Sequence, residues 1–248
     1  MDLNRKVELS VQLIKEFARK FGAPWVAFSG GKDSTAVLLL VLEALQPKMV
    51  RGAVFIEVTG NTHDFNIWYA YRVADRLGVD LLHLRRDDLD FFNALVRWGV
   101  PMRVHRWCMN EFKIKVFKVV RPPVFLVGVK HSDSLWRERS DWSRPKMWND
   151  MVVFSPIWFW TTQDIRDFIK SRNIDLCPCY ELYNHSGNCM YCPFHNTVMI
   201  RKTIADPVWG QKILGALSLL RNDWGKREYR RWSRYVSKTL ESFMGRQP

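Results

Sequence analysis

No apolar run in the 248-residue chain is long enough to cross a bilayer, which excludes a membrane-spanning role. The first twenty residues mix Lys, Glu, Asp and Arg with apolar residues at helical spacing, so they do not read as a signal peptide. Together these absences predict a cytoplasmic protein with no membrane partner. Acid is in short supply: 25 Asp and Glu stand against 38 Lys and Arg, a net charge of +13, so an anionic partner is expected. Cysteine is limited to five residues, which in a cytoplasmic chain points to metal or redox chemistry before disulfides. Two glycine motifs are also missing. A Walker loop would need glycine where Val26 stands and Ser or Thr where Asp33 follows the lysine, and no G-x-G-x-x-G run is present.

What is present predicts an ordered protein. Hydrophobic residues make up 47% and charged residues 25%, a balance that supports a buried core rather than disorder. Residues 3–21 carry Leu3, Val7, Leu9, Leu13, Ile14 and Phe17 near a 3.6-residue period, an amphipathic helix. Strand-length apolar runs follow at Trp25–Phe28, Gly52–Val58, Val79–Leu84 and Pro123–Val129, separated by segments of helical length at Thr35–Leu45, about 63–77 and 87–98. Asp87 or Asp88 is the expected cap of the last of these. This alternation predicts an α/β fold with a doubly wound, mostly parallel sheet and a helical, basic C-terminal appendage. The expected divisions are 1–172 for the nucleotide-binding domain, 173–196 for a Cys-rich segment and 197–248 for the basic region.

Ser29-Gly30-Gly31-Lys32-Asp33-Ser34 lies between the first strand and its helix. Two glycines let the backbone turn sharply and approach a ligand. The first amides of the following helix then face that ligand with the positive end of the helix dipole behind them. Ser29 and Ser34 add hydroxyls, and Lys32 adds a charge. The pattern S-G-G-x-D-S resembles the PP-loop of the adenine nucleotide alpha-hydrolase superfamily, and the branch most similar is that of the phosphoadenosine phosphosulfate (PAPS) reductases.

The resemblance runs over roughly residues 23–195. Thr59-Gly60-Asn61-Thr62 is similar to the family's turn after its second strand, with Glu57 and Val58 ahead of Thr59 where D-T-G is usual. Gly128-Val129-Lys130-His131-Ser132-Asp133-Ser134-Leu135-Trp136-Arg137 resembles G-x-R-x-x-E-S-x-x-R, with Lys130 for Arg and Asp133 for Glu. Residues 155–166 resemble a P-[IL]-x-x-W-[ST]-x-x-D-[IV] segment, in which Thr161 or Thr162 caps a helix with Ile165, Phe168 and Ile169 on its apolar face. The resemblance implies that Ser29, Gly30, Gly31, Lys32, Asp33, Ser34, Thr59, Gly60, Gly128 and Ser134 bind the nucleotide. Lys32, Asp33 and Arg137 are the implied catalytic residues, Arg137 as a fork on phosphate or sulfate oxygens.

Cys189-Met190-Tyr191-Cys192-Pro193 is a C-x-x-C in a turn-rich stretch, a spacing that puts two thiolates on one ion or cluster face. Arg106-Trp107-Cys108 supplies a third cysteine and Cys177-Pro178-Cys179 two more. The expected ligand set is Cys108, Cys189 and Cys192 completed by Cys179 or Cys177. An iron–sulfur cluster and structural zinc, the latter with His185 or His195 in the fourth place, both remain open.

From Asn196 to Pro248 eleven Lys and Arg face four Asp and Glu, interleaved with Trp209, Trp224, Tyr229, Trp232 and Tyr235. Such a tail is either a polyanion surface, with RNA the natural candidate, or a solvated helical face whose tryptophans turn into the core. The resemblance implies an enzyme of sulfur chemistry. One version uses ATP with Mg2+ for activation and sulfur transfer to tRNA or DNA, helped by a Cys-bound cluster. Another is a PAPS or adenosine phosphosulfate (APS) reductase, for which no cysteine follows Cys192. A further alternative, outside the enzymes, is a non-catalytic nucleotide-responsive nucleic-acid-binding protein with structural zinc.

Overall fold

Short apolar runs between glycine- or proline-bearing turns become six strands: β1 (Trp25–Ala27), β2 (Gly52–Ile56), β3 (Leu81–Leu84), β4 (Val124–Leu126), β5 (Lys146–Trp148) and β6 (Met151–Phe154). They are seen in a computed structural model that describes residues 1–133 and 141–236. The chain forms two units, Met1–Ile56 with Ile67–Leu84 and Ile114–Cys177, and Glu57–Asn66 with Arg85–Lys113 and Pro178–Pro248.

The first unit holds the whole sheet, in the order β3-β2-β1-β4-β6-β5. All neighbours are parallel except β5, which runs antiparallel to β6. In register, Val26 of β1 pairs with Ala53 on one side and Leu126 on the other. The chain builds outward from β1 to β3 and then returns to lay β4 against the opposite side of β1. That reversal is the topological switch of a doubly wound sheet, where ligands sit beyond the strand ends. β2 is buried along its full length, as its unbroken apolar run requires.

Helix α1 (Leu3–Phe21) starts where Asp2 accepts the Arg5 N–H and ends at Gly22, whose φ of 84° a side chain would oppose. It buries Ile14, Phe17 and Ala18. The Ser10 hydroxyl, also buried, donates to the Pro156 carbonyl and accepts from the Trp160 indole. Helix α2 (Lys32–Ala44) is buried continuously from Ser34 to Val41, the behaviour of a helix that is apolar all round. Helix α3 (Asp64–Arg76) buries Tyr69, Ala70, Val73 and Ala74. Its Tyr69 hydroxyl donates to the Asp175 carbonyl at 2.7 Å. Thr161 and Asp164 form a reciprocal capping box at helix Thr162–Ser171, in line with the sequence. The antiparallel β5–β6 pair was not among the expected strands. Asn149 and Asp150, both at positive φ (49° and 64°), form its two-residue connection, a primed hairpin turn.

The second unit is helical. Its core joins Phe91, Phe92, Leu95 and Phe112 to Tyr191, Ile200, Ile204, Ile213, Leu214, Leu217 and Trp232. The helices Thr197–Ala205, Pro207–Ser218 and Asp223–Ser233 are each capped by a side chain, from Asn196, Asp206 and Asn222 respectively. The helix expected over 87–98 begins only at Phe91, with Asp90 as its cap. Asp87 and Asp88 are turned instead onto the guanidiniums of Arg85 and Arg86. Trp232 is wholly buried and stacked on Tyr191, and Trp209, Tyr229 and Tyr235 pack against the same core. Most of the aromatics in the basic tail are therefore core residues, and Trp224 is the exposed one among those five. No helix among the described residues is long and apolar enough to cross a membrane.

His185 and His195 stack in this core with ring centroids 4.3 Å apart. Burial pushes His185 down to about 4, and it also holds His195 well below its ordinary value. Both rings are therefore neutral in the folded protein while an unfolded chain binds their protons below about 6.5. Stability is present in full above that value and falls as pH drops toward 4, at up to about 1.4 kcal/mol per pH unit for each histidine. Urea midpoints measured across this range should show the slope, and His185→Gln should flatten it.

Candidate functional site

The loop after β1 closes on the first turn of α2. Gly30 takes φ +68°, a left-handed conformation open to glycine at little cost. The Ser29 N–H donates to Ser34 Oγ at 3.1 Å, and the Ser34 hydroxyl donates to the Gly31 carbonyl at 2.9 Å. Thr35 binds that same carbonyl through both its N–H and its hydroxyl, each at 3.0 Å. Gly31 occupies the N-cap position of α2, and no side chain caps it. The start of the helix is thus braced through carbonyls and hydroxyls while its dipole faces outward, an arrangement suited to phosphate.

Gly128 follows β4, the strand on the far side of the switch point. A Cβ there would lie 2.9 Å from the Asp33 carbonyl carbon and from Ser34 N. Glycine is needed for this close approach, which is a structural reason for a residue that the resemblance had marked as ligand-binding.

The charges here form a chain. Lys130 is completely buried, with its ammonium 2.5 Å from Asp33 Oδ1 and 2.8 Å from Asp133 Oδ1. Asp133 also accepts the Lys130 N–H. The other Asp33 oxygen lies 2.8 Å from Lys32 Nζ. Asp33 is therefore held between two lysines and locks the loop. Lys130 and Asp133 were visible in the sequence only as charge-conserving replacements, and their part in bracing the loop becomes clear from the buried pair. Ser134 and Arg137 lie outside the described residues.

Thr59 and Gly60 belong to the second unit. The Thr59 hydroxyl donates to the Arg86 carbonyl at 2.6 Å. Gly60 has φ +81°, and any Cβ there would collide with the Asp90 carboxylate. Lys212 donates to the Gly60 carbonyl at 2.7 Å. Asn61 pins the Cys loop: its amide donates to the Tyr191 carbonyl, its side-chain oxygen accepts the Tyr191 N–H, and its carbonyl accepts the Met190 N–H.

Cys108, Cys189 and Cys192 are near enough that ionising one opposes ionising another. Burial first, and then Cys189, push Cys108 up to about 11 and Cys192 up to about 12. The nearby Lys113 ammonium, which donates to Asn188 Oδ1 at 2.8 Å, works in the opposite direction. Cys179 does not complete the set. It packs on Gly187, where a Cβ would come within 2.6 Å of its sulfur, and lies near Tyr183. Cys177 falls in the first unit, near Tyr69. Among the described residues no three His, Cys, Asp or Glu side chains are arranged to hold a metal. The donor types suit iron–sulfur or zinc, but among the described residues their placement does not form a ligand set.

The sequence profile of the phosphoadenosine phosphosulfate reductase domain matches residues 23–194, and the chain belongs to that family. It is 26% identical to an uncharacterized protein of Methanocaldococcus jannaschii over 192 residues, 74% of this chain and 39% of that protein. It is also 26% identical to a sulfate adenylyltransferase subunit 2 of Marinobacter nauticus over 197 residues, 69% of this chain and 64% of the relative. The match thus spans less than two thirds of either relative. Among solved structures, a PAPS reductase from Candida auris in complex with phosphate superposes with a TM-score of 0.52 at 15% identity, covering 71% of this chain and 86% of that one. The NH3-dependent NAD synthetase of Campylobacter jejuni gives 0.53 at 15% identity over 100% and 98%. At such identities these structures share the fold.

Two outcomes test the geometry. Lys130→Met leaves two carboxylates without their shared cation. It should cost about 2–3 kcal/mol in urea unfolding, less than a fully buried pair because both carboxylates keep some contact with water. An unchanged midpoint would remove the pair from its bracing role. Alkylation at about pH 8 should leave Cys108 and Cys192 unmodified in the folded protein and label them after unfolding, as read by mass spectrometry.

Proposed function

We propose that this member of the phosphoadenosine phosphosulfate reductase domain family binds an adenine nucleotide at Ser29–Ser34 and transfers its adenylyl group to an oxyanion of sulfur metabolism. The observation that carries this reading is the uncapped start of α2 beside Gly30 and Gly128, at the switch point of the sheet. The name sulfate adenylyltransferase carried by a relative supports both the nucleotide and the class of acceptor.

In this reaction an acceptor oxygen attacks the α-phosphorus of ATP. The bond to the β-phosphate oxygen breaks, and pyrophosphate leaves with the electron pair. Amides of the loop, the Ser29 and Ser34 hydroxyls and the Lys32 ammonium hold charge on the phosphates as it shifts. Fixed donors of this kind act without reorganising as the charge moves, which is why they lower such barriers so strongly. Asp33 keeps Lys32 in place rather than touching the nucleotide. Gly128 admits the nucleotide-bearing turn, and Ser134 and Arg137 are proposed to reach the acceptor or the phosphates. Mg2+, when bound, would add neutralisation of the charge on the leaving pyrophosphate. Asp33, already paired with two lysines, is not free to be its main ligand, so the metal is proposed to arrive on the triphosphate. A nucleotide-binding role for Thr59 and Gly60 is proposed from the family resemblance alone. The designation subunit 2 in the relative's name supports a partner chain.

A PAPS or APS reductase has less support. It needs a thiol nucleophile, and the last cysteine, Cys192, is a buried thiol pushed up to about 12.

Exchange of labelled pyrophosphate into ATP in the presence of sulfate tests the reading. Ser34→Ala and Lys32→Ala should each lower exchange about 100-fold or more while leaving the circular dichroism spectrum unchanged. Exchange at the parent rate in both variants would overturn the assignment of the loop.

A further inference from the structure

The second unit carries an aromatic and basic strip that the nucleotide chemistry does not use. We infer that this strip, from Phe194 through Trp98 to Trp224, binds single-stranded nucleic acid. The inference stands apart from the reaction proposed at Ser29–Ser34.

The first observation is charge. From Phe91 to Asn110 the chain has Arg97, Arg103 and Arg106 and no Asp or Glu. The acids that border this stretch are engaged elsewhere. Asp90 accepts the Phe92 and Asn93 amides, and Glu111 pairs with Arg86 at 2.7 Å. Arg97, Arg103 and Arg106 are all exposed.

The second is the display of aromatic faces. Phe194, 48% exposed, lies under two guanidiniums at once, with Arg103 5.6 Å and Arg106 5.4 Å from the ring centre. Trp98, 44% exposed, stands edge-on to Trp107, whose indole is anchored on the Gly99 carbonyl. Gly99 in turn lies against the side-chain amide of Asn222, and two residues further on is Trp224, 54% exposed with Arg227 over its ring at 5.2 Å. Trp107, which Trp98 meets edge-on, packs against the core of this unit, so the Trp98 ring is backed by a fixed neighbour.

The third is a recess of about 460 Å³ lined by Trp98, Met102, His105, Arg106, Trp107 and Asn110. It combines two indoles with a guanidinium, an imidazole and an amide, within the size range of ligand pockets. Successive stacking faces flanked by arginines match a strand of bases with phosphates at intervals better than one isolated nucleotide. A duplex keeps its base faces stacked inside and offers the rings nothing. Of the tail's tryptophans Trp232 is buried, while Trp224 is exposed and forms one end of this strip.

Anisotropy titrations of roughly 12-nucleotide single-stranded RNA and DNA probes on the full chain test this. Binding should weaken with rising salt. Trp98→Ala should weaken it about 5- to 150-fold with the salt slope retained. Arg103→Ala/Arg106→Ala should weaken it about 10-fold and reduce the slope by about one to two. Pyrophosphate exchange should stay at the parent level in both, which separates this test from that of the PP-loop. The arginine variant changes only exposed side chains, so it decides the matter should Trp98→Ala melt early. The inference is overturned by absent binding at low salt, by parent-like binding in both variants, or by equal binding of duplex that ignores Trp98→Ala. Self-association of the parent that Trp98→Ala abolishes, with probe binding untouched, would assign the strip to a second copy of the chain and overturn it equally.

Discussion

A lysine ammonium with no access to water holds the first unit's site together. Lys130 cannot stay charged in that position without partners, and it takes both Asp33 and Asp133. One of those carboxylates belongs to the turn after β1 and the other to the segment after β4. The ion pair therefore ties together the two sides of the switch point, where the sheet's topology already opens a crevice. Gly128 permits the approach by having no Cβ, and the Asp33 carboxylate then passes the constraint on to Lys32. Loop shape and loop charge are set by the same contacts.

The second unit is organised differently. Its core is aromatic and aliphatic, with Phe91, Phe112, Tyr191 and Trp232 in ring contact or close packing. Asn61 enters it by bonding both the N–H and the carbonyl of Tyr191, and His185 and His195 enter it as stacked neutral rings. The Cys189–Cys192 loop is fixed to this core through Asn61. The same burial raises the cost of forming thiolates at Cys108 and Cys192 in the absence of a bound cation.

The parts of the site carried by local chemistry were legible in the chain. Ser29–Ser34 could be recognised because a strand, two glycines and a helix start occur in immediate succession. The helix capped by Thr161 or Thr162 and the first helix over residues 3–21 were legible for the same reason. The start of the helix at Phe91 was not, because three acids compete for the capping role and the arginines that occupy Asp87 and Asp88 decide the outcome. Nor did the composition of the tail reveal which of its tryptophans face inward, since helical spacing permits either orientation until the partner surface is known.

The sequence by itself determined the fold class, the glycine-rich turn after β1 and the strong positive charge, all of which depend on short-range pattern or on simple sums. Tertiary structure alone decided that Lys130 lies between two carboxylates, that Cys179 packs on Gly187 rather than joining the other thiols, and that Trp232 is core while Trp98 faces solvent. Each of these depends on residues far apart in the chain meeting in a place without water. There the cost of an unpaired charge or an unfilled volume, rather than any local preference, selects the arrangement.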